Sequence, residues 1–268
     1  MQTRLALLLS SVLLAASCTD TNSAAANGGA AGAGGGPGAA ANGGAAGAAV
    51  VNCGTSSGPI DPTAMIDDME AIDPSILMAG GRNGSWWAGG DPSSPSATIV
   101  PNGEASATLI PGGGRCGSLH AMRVSGQGFT QWAEVTASMR YGVQDGGTSG
   151  LLPYDASFRT GITFWARIGD TSASYVRFAV SDQYSRPEGG HCDPNSSIGA
   201  TACYDEFGVD LRQLGTSWTP YRIPFAGLGQ RNFGLQRPAL DKTAIYSIDF
   251  NFNVGEIFDF WIDDISFY

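Results

Sequence analysis

The sequence predicts an all-β protein built as a sandwich of two antiparallel sheets. From about residue 59 to the last residue, short runs rich in Val, Ile, Phe, Tyr and Thr alternate with clusters of Gly, Pro, Asn and Asp. The three-to-four-residue spacing of apolar side chains that marks a helix is nearly absent. About 210 residues with nine or so strands are enough for one domain with a single core between two sheets.

The strands are assigned from the alternation of apolar and polar residues. A strand places successive side chains on opposite faces, so a half-buried strand alternates between the two residue classes. Nine segments of the domain have this pattern. They are Ala107–Ile110, Ser118–Val124, Phe129–Ser138, Thr160–Ile168, Ser174–Ser181, Glu206–Asp210, Trp218–Pro224, Ala244–Asn253 and Glu256–Ile262.

The same alternation predicts which side chains point away from the core. In the segment Thr160–Ile168, for example, Ile162, Phe164 and Ala166 face inward. The outward side chains of five segments combine aromatic rings with charges, hydroxyls and amides. In chain order they are Thr163, Trp165, Arg167, Tyr175, Arg177, Arg222, Ser247, Asp249, Asn251, Asn253, Asp259 and Trp261.

If these segments share one sheet, the outer face of that sheet suits a sugar ligand. Aromatic rings cover the apolar CH face of a pyranose. Arg, Asp and Asn side chains make the directional hydrogen bonds that sugar hydroxyls require. The alternative is that loops cover the sheet, so that the same groups form a buried polar network or cross-strand pairs. The alternation leaves both interpretations open.

The N-terminus predicts export and membrane attachment. A positive residue followed by the apolar run Leu5–Ala16 is typical of a signal peptide and is too short to span a membrane. Residues 14–18, Leu-Ala-Ala-Ser-Cys, resemble the lipobox of bacterial lipoproteins, with Ala15 where that family prefers Leu. The resemblance implies that Cys18 is acylated and anchors the protein to a lipid bilayer. The alternative is ordinary signal cleavage, which leaves Cys18 as a free thiol.

Composition divides the chain into three parts. Residues 1–17 form the leader, and residues 18–58 are mostly Ala, Gly, Asn and Ser, with nothing large to bury. We expect this second part to be a disordered tether that holds the domain roughly 30–35 Å from its anchor. Residues 59–268 form one folded domain. The expected location is the cell envelope, on the inner or outer membrane, facing the periplasm or the cell surface.

The charge balance excludes two classes of partner. The chain has 14 Lys and Arg against 24 Asp and Glu, a formal net charge of −10. The few basic residues form no run, so nucleic acid and anionic lipid surfaces are poor partners. Neutral ligands or cations fit this balance better, and we expect a monomer.

Four cysteines remain once Cys18 is assigned to the anchor. An even number in an exported protein predicts disulfides, and four cysteines allow three connectivities. Cys192 and Cys203 are separated by ten residues rich in Gly, Pro, Asn and Ser, which favours a stapled loop. Cys53 and Cys116 would then pair by elimination and fix the end of the tether to the domain. The spacing does not match a zinc site.

Five segments of the domain follow a common order and spacing. They are residues 65–70 (Met-Ile-Asp-Asp-Met-Glu), 81–87 (Gly-Arg-Asn-Gly-Ser-Trp-Trp), 154–157 leading into 161–167, 218–224 and 258–267. Together they resemble the jelly-roll carbohydrate-binding modules, most like the family 11 type, within the galactose-binding-like superfamily. The resemblance implies a jelly-roll β-sandwich that binds a polysaccharide or other glycan on its concave sheet.

The resemblance also implies which side chains contact the glycan. Four would lie on the concave sheet and four on loops at its rim. They are Trp165, Arg167, Tyr175 and Arg177 on the sheet, and Trp86, Trp87, Tyr154 and Asp155 at the rim. Adjacent residues of a strand point in opposite directions, so at least one of Trp86 and Trp87 is expected to be buried. The loop closed by Cys192 and Cys203 has no counterpart in the resemblance.

A structural calcium ion is the one cofactor implied. Modules of this superfamily often hold calcium where the first and last strands meet, and the matching residues are Asp68, Glu70, Asp263 and Asp264. Carboxylates brought together from both ends of a domain repel one another unless a cation lies between them, and hard oxygen ligands select calcium. The alternative is that these acids are ordinary surface charges.

Three functions therefore remain, in order of preference. The first is a non-catalytic glycan-binding lipoprotein of the cell envelope. The second is a glycoside hydrolase with paired carboxylates, which would require two close acids on one face, one with a raised pKa. The domain has no Gly-x-Ser-x-Gly elbow and no paired metal-binding histidines to indicate other hydrolytic chemistry. The third is a structural or protein-binding lipoprotein without a glycan ligand.

Overall fold

The computed structural model describes residues 61–93, 95–110, 115–144, 146–196 and 198–268. The predicted leader, the acylated Cys18, the tether and Cys53 lie outside these ranges, so the predictions made for them stay predictions. Within the described ranges, no helix has the length and hydropathy needed to cross a membrane.

The described residues form short strands and a few single-turn 3₁₀ helices. The strands are β1 Met65–Asp67, β2 Trp86–Gly90, β3 Thr98–Val100, β4 Gly103–Glu104, β5 Thr108–Leu109, β6 His120–Gln127, β7 Ala133–Ser138, β8 Arg140–Val143, β9 Ser149–Leu152, β10 Gly161–Ile168, β11 Tyr175–Asp182, β12 Phe207–Arg212, β13 Thr219–Pro224, β14 Ile245–Phe252 and β15 Phe258–Phe267. The 3₁₀ helices are Arg115–Gly117, Pro187–Gly189, Phe225–Gly227 and Lys242–Ala244. Each predicted segment overlaps an observed strand. The sequence pattern did not predict the short strands β1–β4, β8 and β9.

The strands assemble into two large antiparallel sheets. The seven-stranded sheet has the order β13-β10-β15-β6-β3, with β1 paired to β15 and β5 paired to β6. The six-stranded sheet has the order β12-β11-β14-β7-β2-β4, and β8 and β9 form a separate hairpin. This arrangement confirms the predicted jelly-roll β-sandwich.

The expectation that the outward residues share one sheet is wrong. Strands β10 and β11 follow one another in the chain, but β10 belongs to the seven-stranded sheet and β11 to the six-stranded sheet. The connection between them, residues 169–174, crosses from one layer of the sandwich to the other. The sequence therefore supplies two outer faces, and each has to be considered separately.

The core lies between the two sheets and is rich in aromatic side chains. Phe164 of β10 lies with its ring centroid 5.4 Å from that of Phe178 and 5.1 Å from that of Phe250. All three side chains are fully buried. These contacts join a strand of one sheet to two strands of the other, which confirms the inward assignments made from the alternation.

Strand β15 contains a bulge near its end. Trp165 pairs with Asp263 while Thr163 pairs with Ser266, so β15 has one residue more than β10 between these pairs. The bulge includes Asp264, which has a φ of 48°. Because of the bulge, the next side chain after Ile262 to point into the core is that of Ile265, which is buried.

The predicted disulfide between Cys192 and Cys203 is present, with a Cα–Cα distance of 5.1 Å. It closes a loop within residues 183–206, between β11 and β12. The other predicted pairing, Cys53 with Cys116, falls outside the residues and side chains that the structure describes.

Candidate ligand-binding site

An open cleft of about 830 Å³ lies on the outer face of the six-stranded sheet. Its floor comes from β7, β11 and β14, and its walls come from the segments that flank these strands. The lining is a mixture of aromatic rings, charged groups and amides. Its principal members are Trp87, Trp132, Glu134, Tyr141, Tyr175, Arg177, Arg186, Tyr204, Glu206, Arg231, Asn251 and Asn253.

The register of the sheet sets the order of the polar groups on the floor. Glu134 of β7 pairs with Asn251 of β14, which pairs with Arg177 of β11. Paired residues of antiparallel strands project on the same side, so these three side chains form one row. Asn251 and Asn253 were predicted to face outward and both line the cleft. Their amides make no hydrogen bond with any described residue.

Two indole rings form one wall of the cleft. Trp87 of β2 and Trp132, just before β7, are 38% and 40% exposed, and their ring centroids are 6.5 Å apart. The Trp87 ring lies over the backbone of Gly89, because a Cβ added there would come within 2.0 Å of its Cη2 atom. Glycine at this position therefore sets the orientation of the ring. Two exposed rings at this spacing can cover neighbouring sugars of one chain.

Tyr175 and Arg177 form a polar group at another part of the cleft. The Tyr175 hydroxyl donates to Asp210 at 2.9 Å, and Arg177 donates to the same oxygen at 3.2 Å and to the Gly229 carbonyl at 2.7 Å. Partial burial opposes ionisation of Asp210, but hydrogen bonds from Tyr175, Arg212 and Arg177 hold its pKa below the usual value. Both predicted residues thus lie at the cleft, with most of their polar atoms already bonded.

Two carboxylates and one guanidinium line the cleft above a third carboxylate, that of Asp249. Burial, reinforced by the charge of Asp249, raises the pKa of Glu134 to about 7. Burial and the charges of Asp249 and Glu134 raise the pKa of Glu206 well above its usual value. Arg186 opposes both shifts. The Glu134 and Glu206 carboxylates make no hydrogen bond or ion pair with another described side chain, so both remain available to a ligand.

Asp249 differs from the other two acids because it is part of a buried network beneath the floor. Its carboxylate is 1% exposed and accepts hydrogen bonds from the hydroxyls of Thr136, Ser247 and Ser181. Burial raises its pKa in spite of these bonds and the charge of Arg186. For the layer beneath the cleft, the structure bears out the alternative of a buried polar network.

Residues on both sides of the disulfide-closed loop line the cleft. Tyr204 is 46% exposed and has a φ of 68°, in the left-handed region. Arg186, which precedes the loop, places its guanidinium 6.0 Å from the centroid of the Tyr204 ring. The predicted loop therefore adjoins the site through its flanking residues, Arg186 and Tyr204 to Glu206.

Trp165 and Arg167, predicted for the same face, lie on the outer face of the other sheet. The Arg115 guanidinium covers the Trp165 ring at 4.4 Å. Arg167 lies between two indoles, 4.4 Å from the Trp261 centroid and 5.2 Å from the Trp218 centroid. The alternation within β10 is as predicted, and only the assignment of this strand to the cleft sheet is wrong.

The predicted rim residues divide between the cleft and the core. Trp87 lines the cleft, whereas Trp86 is 1% exposed and donates its indole N–H to Asp67 at 2.7 Å. Tyr154 is also buried, with its ring stacked on Phe267 at 5.8 Å. Asp155 is exposed and accepts a hydrogen bond from the Ser157 amide in a tight turn, away from the cleft lining. Neither Trp86 nor Tyr154 can contact a glycan, because both lie in the core.

The four predicted calcium ligands lie where the first and last strands pair, but all four carboxylates have other partners. Glu70 accepts from the Ser118 hydroxyl at 2.7 Å, Asp264 pairs with Arg115, and Asp68 accepts from the Glu70 amide at 3.2 Å. Asp263 is fully buried, and neither of its carboxylate oxygens has a hydrogen-bond partner, but Arg115 forms an ion pair with it at 3.8 Å. Among the described residues, no three His, Cys, Asp or Glu side chains form a group that could hold a metal ion.

Comparison with known proteins gives similarities of structure only. No protein-family model and no curated protein matches the chain. It is similar to a family 11 carbohydrate-binding module from Clostridium thermocellum, in complex with a β-1,3-1,4-mixed-linked tetrasaccharide, at 21% identity and TM-score 0.46, over 76% of this chain and 94% of that one. It is also similar to a family 30 carbohydrate-binding module of a cellulosomal cellulase of the same organism, at 15% identity and TM-score 0.46, over 74% and 98%. We therefore derive the function from the geometry of the cleft.

Several cleft residues were not predicted from the sequence. Trp132 and Glu134 lie in the predicted segment Phe129–Ser138, whose outward residues were not assigned. Arg186, Tyr204 and Glu206 flank the predicted disulfide, and their aromatic and charged character was the one available signal. Arg231 lies in a connection without any alternation.

Proposed function

We propose that the domain binds a glycan chain in the cleft and carries out no chemistry on it. One observation carries the proposal: the cleft combines two exposed indole rings with amides and carboxylates that make no hydrogen bond within the described protein. The rings supply apolar surface for the CH faces of sugars, and the free polar groups supply directional hydrogen bonds to hydroxyls. Other lining groups are hydrogen-bonded within the protein, such as Tyr175 to Asp210, and these bonds stabilise the conformation of the cleft.

The open cleft argues against the purely structural interpretation. If the face served only stability, its rings would be covered and its polar groups paired. Trp87, Trp132 and Tyr204 are each more than a third exposed. Side chains of this size are usually left open to solvent in a group when they contact a ligand or partner.

The experiment compares the same substitution on the two outer faces of the sandwich. Trp87→Ala should weaken binding to a soluble β-glucan or another polysaccharide by about tenfold or more, because it removes an exposed aromatic anchor. Trp165→Ala removes an indole from the other sheet and should leave binding unchanged. A glycan array with the full chain identifies the ligand, and affinity gel electrophoresis measures the loss.

Two results would count against the proposal. One is a wild-type protein that is retarded by no polysaccharide and binds nothing on the array. The other is equal retardation of Trp87→Ala and wild type, which would place the ligand elsewhere. A loss with Trp165→Ala and none with Trp87→Ala would move the site to the seven-stranded sheet.

We propose that the protein is anchored to the cell envelope through an acylated Cys18. The proposal is supported by the apolar leader and the Leu-Ala-Ala-Ser-Cys sequence that ends at this residue. Metabolic labelling with an alkyne fatty acid should mark the wild-type protein in the membrane fraction. Cys18→Ala should abolish the label and release the protein, and a labelled Cys18→Ala protein would disprove acylation at this cysteine.

We also propose that a calcium ion binds between the first and last strands, held by Asp263 with Asp68, Glu70 and Asp264, whose side chains would have to turn toward the ion because they form no metal-holding group as described. The support is the Asp263 carboxylate, which is buried without a hydrogen bond. Burial raises its pKa to about 7, although the charge of Arg115 opposes the shift. Calcium would neutralise this charge and fix both ends of the domain.

The calcium proposal predicts a change in stability. At a calcium concentration about 100 times its Kd, binding should raise the free energy of unfolding by about 2.7 kcal/mol. Thermal unfolding with calcium and with EDTA measures this effect, and Asp263→Asn should remove it. Equal melting temperatures in calcium and EDTA would show that Arg115 alone balances Asp263.

Glycoside hydrolysis is a second candidate, favoured by the two free acids of the cleft. Glu134 and Glu206 line one cleft and both have raised pKa values; hydrolysis would use one of them protonated as the general acid and the other ionised as its partner. A reducing-sugar assay on each polysaccharide that binds tests this function. Release that is lost in both Glu134→Gln and Glu206→Gln would establish it, and binding without release would leave the protein non-catalytic.

A further inference from the structure

The segment between β11 and β12 supplies a tyrosine whose position is enforced from both sides. We call residues 183–206 the disulfide arm. Tyr204 follows Cys203, which is bonded to Cys192, and precedes Asp205. Its ring lines the cleft, and its hydroxyl makes no hydrogen bond with a described residue.

The backbone of Tyr204 is held in an unfavourable conformation. Its φ of 68° lies in the left-handed region, where a bulky side chain costs roughly 1–2 kcal/mol. Such conformations persist when the surrounding structure dictates them, and they are concentrated at functional sites. The Tyr204 amide donates to the Ser185 carbonyl at 2.8 Å, which ties the end of the arm to its beginning.

The residues on both sides of Tyr204 are fixed independently. On one side, the disulfide is accompanied by a hydrogen bond from the Asp193 amide to the Thr201 carbonyl at 2.7 Å. On the other side, the buried Asp205 carboxylate accepts from the Arg231 amide at 2.7 Å and the Phe233 amide at 3.0 Å. Little freedom remains for the Tyr204 backbone, so the direction in which its side chain leaves the chain is fixed.

We propose that Tyr204 is a glycan-contacting residue of the cleft and that the Cys192–Cys203 disulfide holds its ring in the binding position. The inference rests on the proposed function of the cleft and adds a specificity element to it. Trp87 and Trp132 form one aromatic wall, and Tyr204 supplies a ring from a separate segment. Because the ring is already in place, the sugar does not have to order it on binding, which favours affinity.

The test combines ring removal with opening of the disulfide. Tyr204→Asn removes the ring but keeps a residue type that tolerates a positive φ. It should lower glycan affinity about five- to tenfold, whereas Tyr204→Phe should bind nearly as wild type. The double variant Cys192→Ser/Cys203→Ser should lower affinity about three- to tenfold, because the ring becomes mobile.

The decisive measurement is the combination of these variants. If the disulfide acts through Tyr204, its removal should cause no further loss in the Tyr204→Asn background. An equal fold-loss in both backgrounds would show that the disulfide stabilises the cleft generally, and wild-type affinity of Tyr204→Asn would exclude the ring contact. Affinities are normalised to the folded fraction from circular dichroism. Reduction of the folded proteins with a phosphine replaces the serine pair if that variant does not fold.

Failure of this inference is distinguishable from failure of the proposed function. A wild-type protein that binds no glycan would overturn both. Wild-type binding that is weakened by Trp87→Ala but not by Tyr204→Asn would leave the cleft assigned and remove only the role of Tyr204.

Discussion

The two outer faces of the sandwich have similar side chains but opposite arrangements. On the seven-stranded sheet, Trp218, Arg167, Trp261 and Arg123 alternate in a stack that we call the ladder, with guanidinium-to-ring distances of 5.2, 4.4 and 5.0 Å. Arg123 completes it with two hydrogen bonds to Asp259, at 2.8 and 2.9 Å. In the cleft, the Trp87 and Trp132 rings are exposed, and neither has a guanidinium over its face. Pairing within the protein, and not composition, therefore distinguishes a structural face from a binding face.

The difference follows from the register of neighbouring strands. Arg167 of β10 pairs with Trp261 of β15, which pairs with Arg123 of β6, so cation and ring meet across both of these strand pairs. In the six-stranded sheet, Trp87 pairs with Thr136 on one side and Glu104 on the other. No arginine is aligned with this indole, and its ring stays available.

The largest expected effect comes from the centre of the ladder. Trp261 is 5% exposed, so Trp261→Ala should lower the free energy of unfolding by about 3–5 kcal/mol. Trp87→Ala, at an exposed ring, should lower it by less than about 1 kcal/mol. Urea denaturation measures both changes. Glycan affinity per folded molecule should show the reverse order, and a Trp261→Ala protein that folds but does not bind would make the ladder a second binding surface.

Glu134 should make the stability of the folded protein depend on pH. Its pKa is about 7 in the folded protein against an ordinary value of 4.5, so the folded state binds this proton more tightly. The corresponding stability is fully present below pH 4.5 and is lost as the pH rises through 7. Asp249, Glu206 and Arg186 are the charged groups that face it.

Glu134→Gln should flatten this dependence. The wild-type free energy of unfolding should fall between about pH 5 and about pH 8, and the variant should show a smaller fall because glutamine does not titrate. Urea denaturation at both pH values measures the change. Glu256→Gln, on the connection between β14 and β15, is the matched control. An identical slope in wild type and Glu134→Gln would mean that Glu134 is solvated and ordinary.

The sequence predicted the faces of individual strands but not how the strands are distributed between sheets. The inward positions of β10, β11 and β14 follow from a two-residue period, and Phe164, Phe178 and Phe250 are buried as expected. Sheet membership depends on where a connection crosses the sandwich, and the residues between β10 and β11 have no pattern that indicates it. For this reason the four residues predicted for one face are divided: Tyr175 and Arg177 line the cleft, whereas Trp165 and Arg167 lie on the other sheet.

The remaining site residues depend on contacts between distant segments. Tyr204 reaches the cleft through the disulfide and through the bonds of Asp205 to residues 231–236. Trp132 reaches it because β7 lies beside β2, and Trp87 is exposed because Gly89 leaves room for its ring. No local spacing encodes these contacts, although the disulfide itself was predicted from two cysteines and the composition between them.

The smallest expected effect compares one conservative substitution on the two faces. Arg167→Lys keeps the charge but loses the planar group that lies between two indoles, so the free energy of unfolding should fall by about 1 kcal/mol, with glycan affinity unchanged. Arg177→Lys should instead lower affinity severalfold, because lysine lacks the planar fork whose two separate nitrogens bond Asp210 and the Gly229 carbonyl. Urea denaturation and affinity electrophoresis of both variants separate the two outcomes. Equal losses of affinity in both variants would contradict this difference between the faces. Arg167 of the ladder would then contribute to ligand binding as much as Arg177 of the cleft.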